Sequence, residues 1–208
     1  MSNKYLRRYT DIPALVYLPS EKKITLLDPK SWDDSNDSHY ISVYKSKKDL
    51  KTVLVLCFSQ VLETYHHWRV FAVSSAGVCI RFKRAELLKA AKDQIGVTVG
   101  EVQYLKLREI RRKTLQMPQL PFIKRFAFKD EDELRIIFES ATESLPKLDI
   151  PIPLSCIDQV TLSPWIHKNL SVPVIKMLKS IDGCSKIKFV RSTLVNNEEW
   201  KNIGKSAA

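Results

Sequence analysis

The run Val53-Leu54-Val55-Leu56-Cys57-Phe58 is the most apolar stretch of the chain and the feature that most limits its fold. Alternate side chains of a strand point to opposite faces, so an unbroken apolar run suits a central strand covered on both sides, with Ser59 at its end. Val78-Cys79-Ile80-Arg81-Phe82, entered by Gly77, predicts a second core strand. Both need layers to cover them.

The rest of the chain supplies those layers in an irregular order. Tyr5 to Asp11 opens it with aromatics and arginines, and a helix-like stretch follows from Ile12 to Leu18 with Pro13 in its first turn. Lys23 to Leu27 reads as a strand. Asp28 to Ser38 is dense in turn formers and reads as an ordered loop anchored by Trp32. Leu87, Leu88, Ala91 and Ile95 recur at helical spacing within Arg84 to Ile95, and Val97 to Leu105 returns to an extended pattern. Lys106 to Met117 reads as a basic helix stopped by Pro118. Strands are expected near Leu134 to Glu139, Gln159 to Leu162 and Ile187 to Val190, with a helix from Val172 to Ile181. Leu145 to Pro153, with three prolines, is the one plausible hinge, and it is kept inside a single domain, residues 1–208. Strands and helices mix without regular alternation, which predicts an α+β fold: a central mixed or split antiparallel sheet flanked by helices.

A net charge of +11, from 34 Lys and Arg against 23 Asp and Glu, creates a field that attracts nucleic acid or another polyanion. The same balance also serves solubility alone. Cys57, Cys79, Cys156 and Cys184 are dispersed, with no Cys-x-x-Cys pair and no His at ligand spacing, so no metal is expected. Reduced cysteines in apolar runs fit a cytoplasmic protein. No signal peptide and no membrane-spanning run is read from the chain. With five glycines, and without the Gly-Lys-Ser/Thr phosphate loop or the G-x-G-x-x-G fingerprint, a Gly-rich nucleotide cradle is excluded.

Four segments carry candidate chemistry. In Glu131-Asp132-Glu133-Leu134-Arg135, side chains two apart converge on one strand face, where paired carboxylates would stabilise an oxocarbenium-like transition state. The same pattern also describes a charged sheet edge that discourages strand addition, and the residues alone favour the edge. His66-His67-Trp68, taken as a strand, sends its histidines to opposite faces, so one is expected to be exposed and the other satisfied by a hydrogen bond. Arg7 and Arg8, beside Tyr5 and Tyr9, would clamp a pyrophosphate or simply form a basic terminus. The acids of Asp28 to Asp37 depart from the spacing of a calcium loop, and a structural loop is preferred.

Read in order, Arg8-Tyr9, Asp28-Pro29 with Trp32 and Asp34, Cys57-Phe58-Ser59, Trp68 with Phe71, Gly77 to Phe82, and Glu131-Glu133-Arg135 resemble the motifs of a bacterial domain family of unknown function. That family looks like a divergent branch of the ADP-ribosyltransferase-like fold. The resemblance implies that NAD is the substrate and that Arg8 holds it, with Tyr9, Trp68 and Arg135 also binding it. It further implies that Ser59 shapes the pocket, Glu133 drives nicotinamide departure and Glu131 orients the acceptor. Two departures stand out: Ala72 to Ala76 lack the usual polar, Gly-containing approach to G-V-C-I, and Leu134 replaces an aromatic within E-x-E-x-R.

Two functions follow as expectations. One is an NAD-dependent ADP-ribosyltransferase-like enzyme or NAD glycohydrolase, an effector in bacterial conflict such as phage defence. The other is a non-catalytic basic module that holds nucleic acid through Arg108, Arg111, Arg112 and Lys113.

Overall fold

Eleven strands and seven helices are found in the computed structural model, which describes residues 3–205. In chain order they are β1 (Tyr5–Asp11), α1 (Ile12–Glu21), β2 (Lys23–Leu27), α2 (Ser35–Lys47), β3 (Thr52–Ser59), α3 (Tyr65–Phe71), β4 (Gly77–Lys83), α4 (Arg84–Lys92) and β5 (Val97–Glu101). Then come β6 (Gln103–Leu105), α5 (Leu107–Ile110), β7 (Ile123–Arg125), β8 (Glu133–Ser140), β9 (Lys147–Pro151), β10 (Ile157–Leu162), α6 (Lys168–Ser180), β11 (Lys188–Arg191) and α7 (Glu198–Lys205). The class is α+β, with antiparallel and parallel pairings both present and helices around them, as the irregular order of patterns predicts.

The chain divides into two compact units. The first comprises residues up to Leu6, Lys22–Val61 and Lys83–Pro153. Its strands run in the order β9-β2-β3-β8-β5, every neighbour antiparallel, and β6 and β7 form a separate parallel pair. The apolar run is β3, and its whole length pairs with β8, from Thr52 opposite Ser140 to Ser59 opposite Glu133. Helix α2 supplies part of the core: Ile41 and Tyr44 pack with Val53, Val55, Leu120 and Ile137.

The second unit comprises Arg7–Glu21, Leu62–Phe82 and the chain from Leu154 onward. Within it β4 pairs antiparallel with β10, and β10 pairs in parallel with β11. Trp68, Ala72 and Cys79 form a buried cluster against which Tyr9 and Trp165 pack.

Several expectations are corrected. The loop from Asp28 to Ser38 gives way at Ser35 to α2, because the Asp34 carboxylate accepts from Asn36 N at 3.0 Å and caps a helix whose Asp37, Ile41 and Tyr44 share one buried stripe. The histidine pair lies on helix α3, started by the Thr64 hydroxyl accepting from His67 N at 3.2 Å. The helix begun at Arg84 ends at Lys92, and Ile95 is 96% exposed just before Gly96, whose φ of 78° turns the chain into β5. The basic helix shrinks to the four residues of α5. Beyond Leu107 and Ile110 it has no apolar stripe, and a continued helix would set Arg108 three and four residues from Arg111 and Arg112, a spacing at which like charges repel. The supposed hinge is β9, paired along its length with β2.

Candidate active site

The entrance to β8 is built from the inside of the first unit outward. β8 lies between β3 and β5, so its side chains are covered rather than displayed on an edge. Glu133 is 6% exposed, Glu131 5% and Arg135 0%, which overturns the charged-edge reading. Glu131 belongs to a 3-10 turn, Phe126–Glu131, and not to the strand. Asp132 adopts a left-handed φ of 41°, a conformation Asp tolerates better than most residues. That kink, with Gln60 N donating to Asp132 O at 2.9 Å, sets where β8 begins.

Glu133 and Arg135, two apart on the strand, share a face as the alternation requires. The Arg135 guanidinium spends every N–H. Nε donates to Glu133 Oε1 at 3.1 Å and Nη2 to Glu133 Oε2 at 2.9 Å. Nη1 donates to Asp37 Oδ1 and to the Pro121 carbonyl, each at 2.8 Å, and Nη2 also donates to Asp37 Oδ2. The Trp32 ring lies 5.0 Å from the guanidinium, the anchoring role expected of it. Asp37 comes from the buried stripe of α2, and Lys124 comes from β7. The Lys124 ammonium stands 2.6 Å from Glu131, 3.6 Å from Glu133 and 3.5 Å from Asp37. Glu133 N donates to the Tyr104 hydroxyl at 2.9 Å.

The two glutamates are driven apart electrostatically. Burial raises both, but the Arg135 charge and its hydrogen bonds outweigh burial at Glu133 and hold that carboxyl below the ordinary range. At Glu131 burial wins over Lys124, and the carboxyl is raised. Burial and the Glu133 charge push the Cys57 thiol well up, and the same two causes raise the Tyr104 hydroxyl.

Of the residues named from sequence, Ser59, Glu131, Glu133 and Arg135 are gathered in this first unit, Ser59 through its register opposite Glu133. Arg8, Tyr9 and Trp68 belong to the second. Arg8 is half-buried in β1, while Tyr9 on the opposite face meets the Trp68 ring edge-on at 5.2 Å and stacks on His67 at 5.3 Å. Trp68 is wholly enclosed, its indole N–H donating to Glu63 at 2.6 Å. His67 is buried and bonded to Thr64 at 2.5 Å while His66 is exposed, as expected of the pair. Arg108, Arg111, Arg112 and Lys113 are exposed on and after α5.

Sequence reasoning missed Asp37, Lys124 and Tyr104. Asp37 had a signal: it stands on the same stripe as Ile41 and Tyr44, three residues after a capping Asp. Lys124 and Tyr104 had none, because only the pairing of β6 with β7 places Tyr104 opposite Lys124.

No family model and no curated protein matches the sequence. Among solved structures, Thermus sp. 2.9 DarT in complex with NAD+ is similar over 92% of this chain and 96% of its own, at 9% identity and a TM-score of 0.47. The same protein in complex with ADP-ribosylated ssDNA covers 92% and 95%, at 8% identity and a TM-score of 0.49.

Proposed function

We propose that the chain is an ADP-ribosyltransferase-like enzyme that consumes NAD, by transfer to an acceptor or by hydrolysis, with Glu133 and Glu131 as its acidic pair. The observation that carries the reading is the divergence of two buried carboxylates that share one ammonium. Arg135 holds the Glu133 carboxyl below its ordinary range while burial raises that of Glu131, and opposite displacements of two neighbouring acids are the pattern by which acid and base roles are divided in a low-dielectric site.

In this mechanism the bond between ribose C1 and the nicotinamide nitrogen breaks and its electron pair leaves with nicotinamide. Positive charge develops on the ribose, and the Glu133 carboxylate stabilises it. The acceptor, water or a nucleophilic group of a macromolecule, forms the new bond to C1 and gives up its proton, which Glu131 takes. Arg135, Asp37 and Lys124 hold the two acids in place. Trp68, wholly enclosed, and Arg135, buried with every N–H committed, are not placed to bind the dinucleotide as the motifs implied. Ser59, Arg8 and Tyr9 remain proposed contacts, on the motif order alone.

The test is nicotinamide release from NAD by the purified protein, followed by chromatography. Glu133→Gln should lower the rate at least about a hundredfold while circular dichroism is unchanged. Equal turnover in that variant overturns the assignment.

A second reading is favoured by one observation: Arg108, Arg111, Arg112 and Lys113 are exposed, and none of them forms an ion pair among the described residues. They would grip the phosphates of a nucleic acid, as acceptor or as partner. Binding should weaken steeply with salt, and neutralising Arg111, Arg112 and Lys113 should flatten the log–log slope by roughly 0.7–0.9 per lost contact. Absence of binding at low salt removes this reading.

A further inference from the structure

The outer face of α3, in the second unit, carries an arginine that is held in one position. Tyr65 and Arg69 are one turn apart on the helix, and Arg69 Nε donates to the Tyr65 hydroxyl at 2.8 Å. Trp165, from the turn between β10 and α6, closes the other side: the guanidinium carbon lies 4.4 Å from the centre of its ring and 5.2 Å from that of Tyr65. The two rings meet at 73° with centres 6.1 Å apart, so the guanidinium sits in a corner. That corner is itself fixed. Arg191 of β11 donates through Nε to the Ile166 carbonyl at 2.8 Å and through Nη2 to the Pro164 carbonyl at 3.0 Å, and Trp165 N donates to Ser163 Oγ at 3.1 Å.

Arg69 is exposed, and its Nη1 and Nη2 have no hydrogen-bond or ion-pair partner among the described residues. A planar fork that is already immobilised matches a carboxylate bidentately at little further entropic cost. No acid of the chain nearby competes for it. Residues 64–82 and 159–181 contain no Asp or Glu, Glu63 accepts from Trp68 and Ser192, and Asp158 is paired with Arg81. On the same helix and its two flanks, Leu62 is 74% exposed, Val70 51% and Val73 59%. Tyr, Trp and Arg beside exposed aliphatic side chains are the composition of an interface hot spot.

We propose that this corner docks a partner protein through an acidic side chain flanked by apolar ones. The carboxylate meets Nη1 and Nη2 of Arg69, and the apolar side chains cover Leu62, Val70 and Val73. A nucleic acid suits the face less well, since one fork makes one phosphate contact and aliphatic side chains give bases nothing to stack on. Tyr65, Arg69 and Trp165 are not among the residues proposed to consume NAD, and the test uses no NAD.

The probe is a phage-displayed library of random dodecapeptides selected on the immobilised full chain, with enriched peptides synthesised and titrated by fluorescence anisotropy. Enriched peptides should carry Asp or Glu beside a large apolar residue and bind with dissociation constants of about 1–100 μM. Arg69→Lys keeps the charge but loses the fork and the Tyr65 bond, and should weaken binding about tenfold or more. Exchanging the peptide's acid for its amide should cost about as much, and in the Arg69→Lys variant that exchange should cost almost nothing, because the two groups act as one pair. Val70→Asp sets a like charge beside the incoming carboxylate and should also weaken binding. Arg111→Ala lowers the net charge as much as any loss of arginine, lies in the first unit, and should leave binding unchanged. Circular dichroism should be the same for all three variants. The proposal is overturned if no peptide is enriched, if the enriched peptides lack acids, if Arg69→Lys binds as tightly as the wild type, or if Arg111→Ala weakens binding equally. Oligothymidylate that binds more tightly than the peptides and is lost in Arg69→Lys also overturns it, in favour of a nucleic acid. Failure of nicotinamide release would leave these results untouched.

Discussion

Replacing Arg135 with Met removes a guanidinium whose five N–H groups all have acceptors: two on Asp37, two on Glu133 and one at the Pro121 carbonyl. Methionine fills much of the volume, so the loss is electrostatic. Breaking a buried ion pair from one side costs about 3–5 kcal/mol, because the remaining charge is left without a partner. Here two carboxylates are stranded, but Lys124 stays 3.5 Å from Asp37 and 3.6 Å from Glu133 and offsets part of the second penalty. The expected loss at pH 7 is therefore about 3–5 kcal/mol rather than twice that, a large share of the ~5–15 kcal/mol that holds a domain together. In urea, followed by tryptophan fluorescence, the midpoint should fall by about 2 M. The pH dependence checks the cause. In the wild type the depressed Glu133 contributes stability that is present above the unfolded value of about 4.3 and is lost as pH falls through its folded value. In the variant burial raises the same carboxyl, so the penalty is present above that raised value and fades as pH falls through it. The gap between the two proteins should thus be widest near neutrality and narrowest near pH 4. Adding Asp37→Asn and Glu133→Gln to Arg135→Met should recover much of the loss, since no uncompensated charge is then buried. A loss below about 1 kcal/mol, or one that is equal at pH 4.5 and 7.5, refutes the reasoning.

Lys124→Met should destabilise at pH 7, and by less as pH falls through the raised Glu131 value, where that carboxyl sheds the charge the lysine would have paired. The wild-type contribution of this lysine, whose own pKa is raised by Glu133 and Glu131 against the effect of burial, is present below the unfolded value of about 10.4 and is lost as pH rises through its folded value. Urea melts at pH 5, 7 and 9 measure all of this. If nicotinamide is released, the acid limb of the pH profile should move upward in the same variant. Burial pushes the Cys79 thiol up to about 12 and the Cys57 thiol well up, so neither should be alkylated by iodoacetamide at pH 8 until the chain is unfolded, as peptide mass mapping would show. Gly100→Ala would set a methyl 2.6 Å from the Phe122 ring, which lies over β5 opposite Arg135. It should cost about 1–3 kcal/mol, with part regained on adding Phe122→Leu, measured by thermal melts.

The elements that were legible in the sequence are those in which a local pattern and burial agree. β3 and β4 are apolar runs too long and too β-branched to be anything but covered strands, and β2 and β8 carry enough of the same signal to fall within a residue or two of their bounds. α2 was illegible because its inward stripe contains a carboxylate. A reader of patterns scores Asp37 as a polar break between a loop and nothing in particular, and only the guanidinium of Arg135, 98 positions away, makes it an inward-facing residue. The basic segment after Lys106 failed for the converse reason. Its residues are individually good helix formers, but they have no apolar stripe to dock, and intrinsic propensity over so few residues does not outweigh the cost of nucleation.

Glu131-Asp132-Glu133-Leu134-Arg135 shows how the same letters change meaning with burial. On an edge, two acids and an arginine at alternate positions are a device against aggregation, and that is the reading local rules favour. Under α2, with β3 and β5 on either side, the identical segment becomes a set of charges that must be paired, and every pairing has a consequence for its neighbours. Arg135 keeps Glu133 ionised. Lys124 can only partly oppose the burial of Glu131, so the two acids separate in proton affinity although they meet the same ammonium. The sequence holds the acids, but the difference between them arises from residues brought in from α2 and β7, and a difference of this kind is what proton transfer beside a developing cation requires. Deleting the external charge while keeping both glutamates, as Lys124→Met does, is therefore the sharper probe of the site. If the pair works as an acid and a base, its pH profile must move with a residue that touches neither NAD nor acceptor in the proposed mechanism.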